Sequence, residues 1–84
     1  MVQCWLVERD VYDEDLVTLV YATTDGERSV TLQWSGNMVM QKGVTAGRDV
    51  AESDLEAVED PERRQRYADE VERVRERNDP DDQV

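Results

Sequence analysis

Histidine is absent from this sequence. Histidine is the commonest general base, the partner of the nucleophile in Ser-His and Cys-His pairs, and a frequent zinc ligand, so most active sites of these kinds are excluded. The one cysteine, Cys4, has no partner for an internal disulfide and makes no metal cluster. Its neighbours Trp5 and Leu6 favour a buried, inert thiol over a reactive nucleophile. We therefore predict a protein that is not an enzyme.

Long apolar runs and recognisable binding motifs are also lacking. No run is long enough to span a membrane, and the opening MVQCWLVERD shows neither a basic region nor a small-residue cleavage site. The glycine spacings of phosphate-binding loops are missing. The acidic clusters at 13–15 and 79–82 lack the spacing of an EF-hand, which favours diffuse cation association over a metal site. We therefore predict a cytoplasmic protein with no cofactor, no metal and no membrane contact.

Positive charge is scarce, and lysine is scarcer. Ten basic residues stand against 21 acidic ones, the net charge is −11, and Lys42 is the only lysine. Such self-repulsion loosens a small fold in dilute buffer, whereas in 1 M salt the Debye length is roughly 3 Å and the repulsion is almost gone. Over its whole length the composition resembles that of small acidic proteins of unknown function from halophilic archaea. This resemblance implies adaptation to high salt and says nothing about activity.

The clearest structural signal is a β-hairpin. Asp25-Gly26 lies between two β-rich runs and suits a two-residue type I′ turn, which needs positive φ at both positions. Counting outward from this turn puts six mostly apolar residues on one face as facing pairs: Tyr21 with Val30, Leu19 with Leu32, and Val17 with Trp34. The opposite face is mostly polar, so the pattern predicts a sheet with one covered side.

The flanking segments are less regular. Residues 2–11 predict another strand, but both of its sides are apolar, which indicates a central strand or a bulge. Residues 38–42 fit either a short fourth strand or an irregular segment, and Gly43 and Gly47 indicate a loop after it. The last residues, 79–84, lack apolar periodicity and are predicted to be a disordered acidic tail.

The C-terminal third is helical. Ser53 and Glu56 have the spacing of a capping box, which predicts a short helical turn. Asp60 fits as the N-cap of a second helix with Pro61 at its first position. This helix, about 61–77, carries a narrow apolar stripe and is too polar to stand alone. We predict that it covers the apolar hairpin face.

The predicted fold is therefore α+β. One domain, residues 1–78, is an antiparallel meander of three to four strands packed on one face by a C-terminal helix. Its strands lie at about 2–11, 16–24 and 27–34, with 38–42 as the uncertain fourth, in the order that short connections favour.

Apolar residues are the first candidates for a binding surface. Once the helix has covered one sheet face, part of strand 2–11 is in surplus, and an exposed apolar patch on a small domain often marks a partner. Trp5, Val7 and Val20 are the residues that we expect there. The alternative is that twist, a bulge or the segment at 38–40 covers them.

Basic residues are the second group of candidates. Arg63, Arg64 and Arg66 form the one basic cluster, and acidic residues on both sides favour an ion-paired helix surface over a phosphate site. We expect a non-catalytic protein-interaction or regulatory module adapted to high salt, with a protein partner or a second copy of itself. The alternative is a small-molecule or anion-binding protein that uses Lys42, Arg48 or the arginines at 63–66. The negative charge disfavours nucleic acid.

Overall fold

A computed structural model describes residues 1–13 and 15–84 of the chain. The elements follow one another as β1 (Val2–Asp13), β2 (Leu16–Ala22), β3 (Arg28–Trp34), α1 (Gly36–Lys42), β4 (Gly47–Val50), a 3-10 turn (Glu52–Asp54), β5 (Glu56–Ala57) and α2 (Pro61–Arg77). The strands form one antiparallel sheet in the order β4-β1-β2-β3-β5. Because α2 packs on this sheet, the predicted α+β class is confirmed.

The β2–β3 hairpin has the predicted register. Its facing residues include Tyr21 with Val30, Leu19 with Leu32, and Val17 with Trp34. The register is specified by the apolar pattern, because a slip of one residue would turn every side chain to the other face.

The turn of this hairpin differs from the prediction. Gly26 has a φ of +72°, but Asp25 does not have positive φ, so the type I′ turn is not formed. The loop instead has four residues, 24–27, closed by a hydrogen bond from Thr23 N–H to the Arg28 carbonyl (3.0 Å). The predicted two-residue turn and the observed four-residue loop are both centred between Asp25 and Gly26, so the strands pair in the same register. The Asp25 carboxylate accepts hydrogen bonds from the Thr23 hydroxyl (2.5 Å) and Glu27 N–H (2.9 Å), and these bonds lower the pKa of Asp25.

Strand β1 is both central and bulged, the two conditions that its sequence indicates. It pairs with β4 on one side and with β2 on the other. Leu6 faces Tyr21 but Glu8 faces Val20, so Val7 is an extra residue in the ladder. Such a bulge turns two consecutive side chains toward one side of the sheet. Val7 and Glu8 are accordingly both directed toward α2, where Val7 packs in the core and Glu8 reaches Arg66.

Each face of the sheet carries its own hydrophobic core. The first face lies under α2, and its core consists of Trp5, Val20, Ala22, Ala46, Val58, Tyr67 and Val71. The second face carries Cys4, Val17, Leu19, Tyr21, Val44 and Val50. The prediction that α2 covers the apolar hairpin face is therefore wrong, since Val17, Leu19 and Tyr21 lie on the second face.

The chain topology explains this choice of face. Strands β4 and β5 lie at opposite edges of the sheet, so the connection from β3 to β4 and that from β4 to β5 must both cross it. Both cross the second face, where they contribute Val39, Val44 and Leu55 to its core. The first face is then left for α2, whose Tyr67 and Val71 are buried against it.

The segment after β3 contains a helix where the sequence allows a fourth strand at 38–42. Ser35 caps α1 by accepting a hydrogen bond from Met38 N–H (3.2 Å), and the helix ends at Gly43, whose φ is +72°. Strand β4 follows at residues that the sequence predicts to be a loop. Gly47 belongs to this strand, and its N–H donates to the Pro80 carbonyl (2.9 Å).

Residues 79–84, predicted to be a disordered tail, are hydrogen-bonded along residues 44–47. Ala46 N–H donates to the Asp82 carbonyl (2.8 Å), and Val84 N–H donates to the Val44 carbonyl (2.8 Å). The Arg9 guanidinium also donates to the main-chain oxygen of Val84 (3.0 Å). None of these bonds depends on an apolar side chain, so hydrophobic periodicity does not reveal them.

Helix α2 spans the residues that the sequence indicates, with Asp60 accepting a hydrogen bond from Glu62 N–H (3.0 Å) and Pro61 in the first turn. The capping box at Ser53 is not formed, because the 3-10 turn begins after Ala51 and the chain is extended again at Leu55. Neither helix in the described part of the chain is long and apolar enough to span a membrane.

Gly26 should tolerate no side chain, because the hairpin loop packs directly on α2. A Cβ atom there would collide with the Arg64 carbonyl oxygen and the Ala68 backbone nitrogen. A left-handed conformation alone costs a residue with a Cβ about 1–2 kcal/mol. We expect Gly26→Ala to lower the free energy of unfolding by more than this, measured by urea unfolding in molar KCl.

Gly43→Ala is a comparison variant. Gly43 has the same φ of +72°, but its Cβ would meet the side chain of Gln83 rather than a backbone. Because its ψ is 164°, a region that glycine occupies almost alone, we expect a loss of about 1–3 kcal/mol from backbone conformation. A loss of no more than about 2 kcal/mol at Gly26 would contradict the close packing of the loop on α2.

Candidate interaction surface

The apolar candidates lie inside the fold. Trp5 and Val20 are 6% and 7% exposed in the first core, and Val7 is half-buried against it. Helix α2 covers all three, so they are not an exposed patch. The surplus apolar surface lies on the second face instead, where Val30, Leu32 and Trp34 of β3 remain half-buried.

The arginines of α2 are held among acidic groups. Arg66 forms an ion pair with Glu8 (3.2 Å) across the bulge of β1. Arg63 and Arg66 line a shallow groove of about 270 Å³ together with Asp60 and Glu62. Arg64 is half-buried, and its carbonyl lies against the hairpin loop. Acidic side chains also line the grooves beside Arg63 and Arg64, so the three arginines do not form a concentrated positive site.

Tyr67 follows Arg66 and is buried under the same ion pair. Its ring centroid lies 5.9 Å from the Arg66 guanidinium carbon. Burial raises the pKa of Tyr67, and the nearby Glu8 carboxylate raises it further. The Tyr67 hydroxyl therefore stays protonated at neutral pH, and the Tyr67 ring packs beside the ion pair.

Lys42 and Arg48 lie on the other side of the sheet from these arginines. Lys42 is exposed in the last turn of α1, where a positive charge suits the helix dipole. Arg48 is exposed on β4, with its guanidinium carbon 5.4 Å from the ring centroid of Trp34. The structure thus does not bring the predicted basic residues together.

A partly apolar groove of about 420 Å³ lies on the second face, beside the start of the connection from β4 to β5. Its apolar lining includes Val30, Leu32 and Val50, and Arg48, Asp49 and Asp54 contribute charge. A larger groove of about 650 Å³ lies on the first face beside α2 and is mostly polar, with hydroxyls and carboxylates in its wall. Strand β3 contributes residues to both grooves.

The outer edge of β3 is the feature that sequence reasoning missed. The Glu27 carbonyl accepts Val58 N–H on the outer side of the hairpin, and the Arg28 carbonyl accepts Thr23 N–H on the inner side. Main-chain groups alternate between the two sides of an antiparallel strand, so those of Thr31 and Gln33 point outward.

Strand β5 pairs with β3 only as far as Ser29. Beyond that point, within residues 1–13 and 15–84, no main-chain group pairs with the outer side of β3. Residues 30–34, with the sequence VTLQW, form the open β3 edge. Thr31 and Gln33 are exposed there.

Charge distinguishes this edge from the other edges of the sheet. Strand β4 carries Arg48 and Asp49, and the part of β1 beyond β4 carries Glu8, Arg9 and Asp10. Charged residues on an edge strand prevent unwanted strand pairing. The open β3 edge has none, and it belongs to the longest stretch of the sequence without a charged residue, 29–41. That stretch was the signal from which the edge could have been found.

The acidic clusters do not gather into a metal site in the described residues. In the cluster at 79–82, the Asp82 carboxylate accepts a hydrogen bond from Asp79 N–H (2.8 Å), so it closes a turn. In the cluster at 13–15, Glu14 lies outside the described residues.

Comparison with known proteins places the whole chain in one family. A family model described as a family of unknown function, DUF7967, matches residues 1–84. The chain belongs to this family. The match covers all elements of the fold, from β1 to the C-terminal segment that pairs with residues 44–47. No curated protein and no solved structure matches the chain.

Cys4 should react slowly in the folded protein. Its side chain is fully buried in the second core, and burial raises the pKa of its thiol. Because the attacking species in disulfide exchange is an exposed thiolate, we expect a disulfide reagent to react roughly 100-fold or more slowly than with the chain in urea. Absorbance of the released thiol measures both rates.

Thr24→Cys supplies an internal control, because Thr24 is exposed in the hairpin loop. The variant should release one equivalent of thiol rapidly and a second slowly. Rapid release of two equivalents of thiol would show that Cys4 is accessible and would support a reactive thiol.

Proposed function

We propose that this chain is a non-catalytic protein-interaction module and that the open β3 edge is its binding surface. The observation that carries the proposal is the combination of unpaired main-chain groups at Thr31 and Gln33 with a lack of charge over residues 30–34. A strand edge of this kind is a template for pairing with another extended chain. Binding by strand addition needs no catalytic side chain.

Side chains on the two sides of the edge define the kind of segment that fits it. An added strand would place alternate side chains on the second face, beside the half-buried Leu32 and Trp34. The intervening side chains would lie beside Thr31 and Gln33 on the first face. We therefore expect the partner segment to be extended, with apolar residues at every second position.

Charge supports a particular choice for the intervening positions. The first-face groove beside this edge contains Glu56, Glu59 and Asp60, with Arg63 as the one basic residue in its lining. The whole chain carries a net charge of −11. Neutral or basic residues at the intervening positions would match this surface, whereas acidic residues would be repelled.

An anion-binding role has weaker support. Arg48 is the strongest candidate, since it lies beside an apolar groove and over the Trp34 ring. The same groove is lined by Asp49 and Asp54, whose carboxylates offset the positive charge of Arg48. An enzymatic role lacks support as well, because histidine is absent and the one thiol is buried.

Adaptation to molar salt is the second part of the proposal. The sequence has 21 carboxylate side chains against ten basic ones, and three ion pairs within 4.0 Å are Glu8–Arg66, Arg28–Glu52 and Glu70–Arg73. Repulsion among the remaining charges is screened at high ionic strength, and salts that are excluded from the protein surface strengthen apolar burial.

The stability of the chain should therefore rise with KCl. We expect the midpoint of thermal unfolding to increase by about 5 °C or more between dilute buffer and molar KCl, equivalent to roughly 1 kcal/mol for a domain of this size. Circular dichroism measures the midpoint. A variant with Glu59→Gln, Glu72→Gln and Glu76→Gln, all at exposed positions, should show a smaller rise. A midpoint that falls with salt would contradict the adaptation.

Gln33→Pro tests the binding edge. Proline removes the N–H that points outward from β3 and leaves the hydrogen bonds between β2 and β3 in place, as is usual for proline on an edge strand. Gln33→Ala is the matched control, because it shortens the same side chain and keeps the N–H. Tagged wild type and both variants are used for affinity capture from host lysate in molar KCl, with mass spectrometry of the retained proteins.

We expect a stoichiometric partner to be retained by the wild type and by Gln33→Ala, and to be lost from Gln33→Pro. Circular dichroism checks that the proline variant is folded. Equal retention by folded Gln33→Pro would show that the partner uses another surface, and retention of no partner and no second copy by the wild type would overturn the proposal.

A further inference from the structure

We propose that the open β3 edge pairs with the same edge of a second copy of this chain. The two edges would run antiparallel about a twofold axis at Leu32 and join two sheets into one. This inference rests on the proposed function, since it names the partner of the same edge. A twofold interface requires a surface that is complementary to itself, and residues 30–34 meet that requirement.

The register of such a pair follows from the alternation along β3. With Leu32 opposite its own copy, Thr31 lies opposite Gln33 of the second copy, and Val30 lies opposite Trp34. The outward-pointing groups are those of Thr31 and Gln33, so each of these two pairs exchanges two hydrogen bonds. Four main-chain hydrogen bonds would form, and every open group of the edge would be used.

Side chains also match across this axis. On the second face, Leu32 would contact its own copy and Val30 would contact Trp34, which extends the half-buried apolar strip of each chain into the other. On the first face, Thr31 would lie beside Gln33, so that both contacts are polar and uncharged. Aromatic pairs with β-branched residues are among the favourable cross-strand contacts.

The length of the edge suits this one pairing. Strand β5 ends the open part of β3 at Ser29. At the other end Ser35 caps α1, which turns the chain onto the second face. Five residues are therefore available, and pairing about Leu32 uses the same five on each copy. A shift of the axis by one pair would place a residue against β5 or the start of α1.

Net charge opposes the association without preventing it. Each copy carries −11, but residues 29–41 contribute none of it. The acidic residues of the two copies would therefore lie around the paired edges and not between them. Their mutual repulsion acts over a longer distance and is screened by salt. The dimer should accordingly become tighter as the KCl concentration rises.

Charge substitution at the exposed pair tests the proposal. Thr31→Glu with Gln33→Glu places carboxylates opposite each other at both contacts, and Thr31→Lys with Gln33→Lys places ammonium groups there. Both positions are exposed in the single chain, so folding should survive. Sedimentation equilibrium measures the mass against the 9.7 kDa of one copy. It is run at the lowest KCl concentration that supports association of the wild type.

We expect the wild type to reach twice the single-copy mass. Each charged variant alone should associate at least tenfold more weakly, and an equimolar mixture of the two should recover the double mass. The matched control is Thr24→Glu with Gln41→Glu, which makes the same changes at exposed positions away from the edge and should behave like the wild type. Recovery by mixing excludes misfolding as the cause of the loss.

Two results would overturn the inference. One is a wild type that stays at the single-copy mass up to its solubility limit in molar KCl, and the other is a dimer that both charged variants form as well as the wild type. If a single-copy wild type still captures a partner that Gln33→Pro loses, the edge binds another protein, and the proposed function stands without the dimer.

Discussion

The antiparallel pairing of β1 with β2 is the constraint on which the rest of the fold depends. These two strands supply side chains to both cores, Trp5 and Val20 on the first face and Cys4 and Leu19 on the second. With an apolar content of only 38%, the chain has few residues with which to cover two faces. It does so with α2 on one face and with two short crossing connections on the other.

The bulge at Val7 adjusts this pairing to the helix. An unbroken ladder would send Glu8 to the second face, away from α2 and Arg66. The extra residue turns Glu8 toward α2, where it meets Arg66 at 3.2 Å. The hairpin loop makes the second contact with the helix, because Gly26 has no Cβ and lies against the backbone at Arg64. Together these contacts set the position of α2 over β1 rather than over β3.

The open edge is a consequence of that arrangement. Helix α2 contacts β1 far more than the outer strands, and β5 is too short to pair with more than the start of β3. Within the described residues, the outward main-chain groups of Thr31 and Gln33 are therefore unpaired, and the other side of residues 30–34 is apolar and half-buried. On the other edges, charged residues or the C-terminal segment occupy the corresponding positions. The surface suited to binding another chain is thus the strand edge that no described element of this chain covers.

Local chemistry in the sequence determined the elements whose signals lie within a few residues. The hairpin register follows from apolar alternation in β2 and β3, and the start of α2 follows from Asp60 and Pro61. Tertiary structure decided which sheet face each covering element takes, because alternation identifies two faces and does not say which one a distant helix will cover. It also decided the pairing of β4 and of residues 79–84, since main-chain hydrogen bonds leave no pattern of side chains. The open β3 edge was also decided by tertiary structure, because an edge is unpaired only when no other strand of the fold lies beside it.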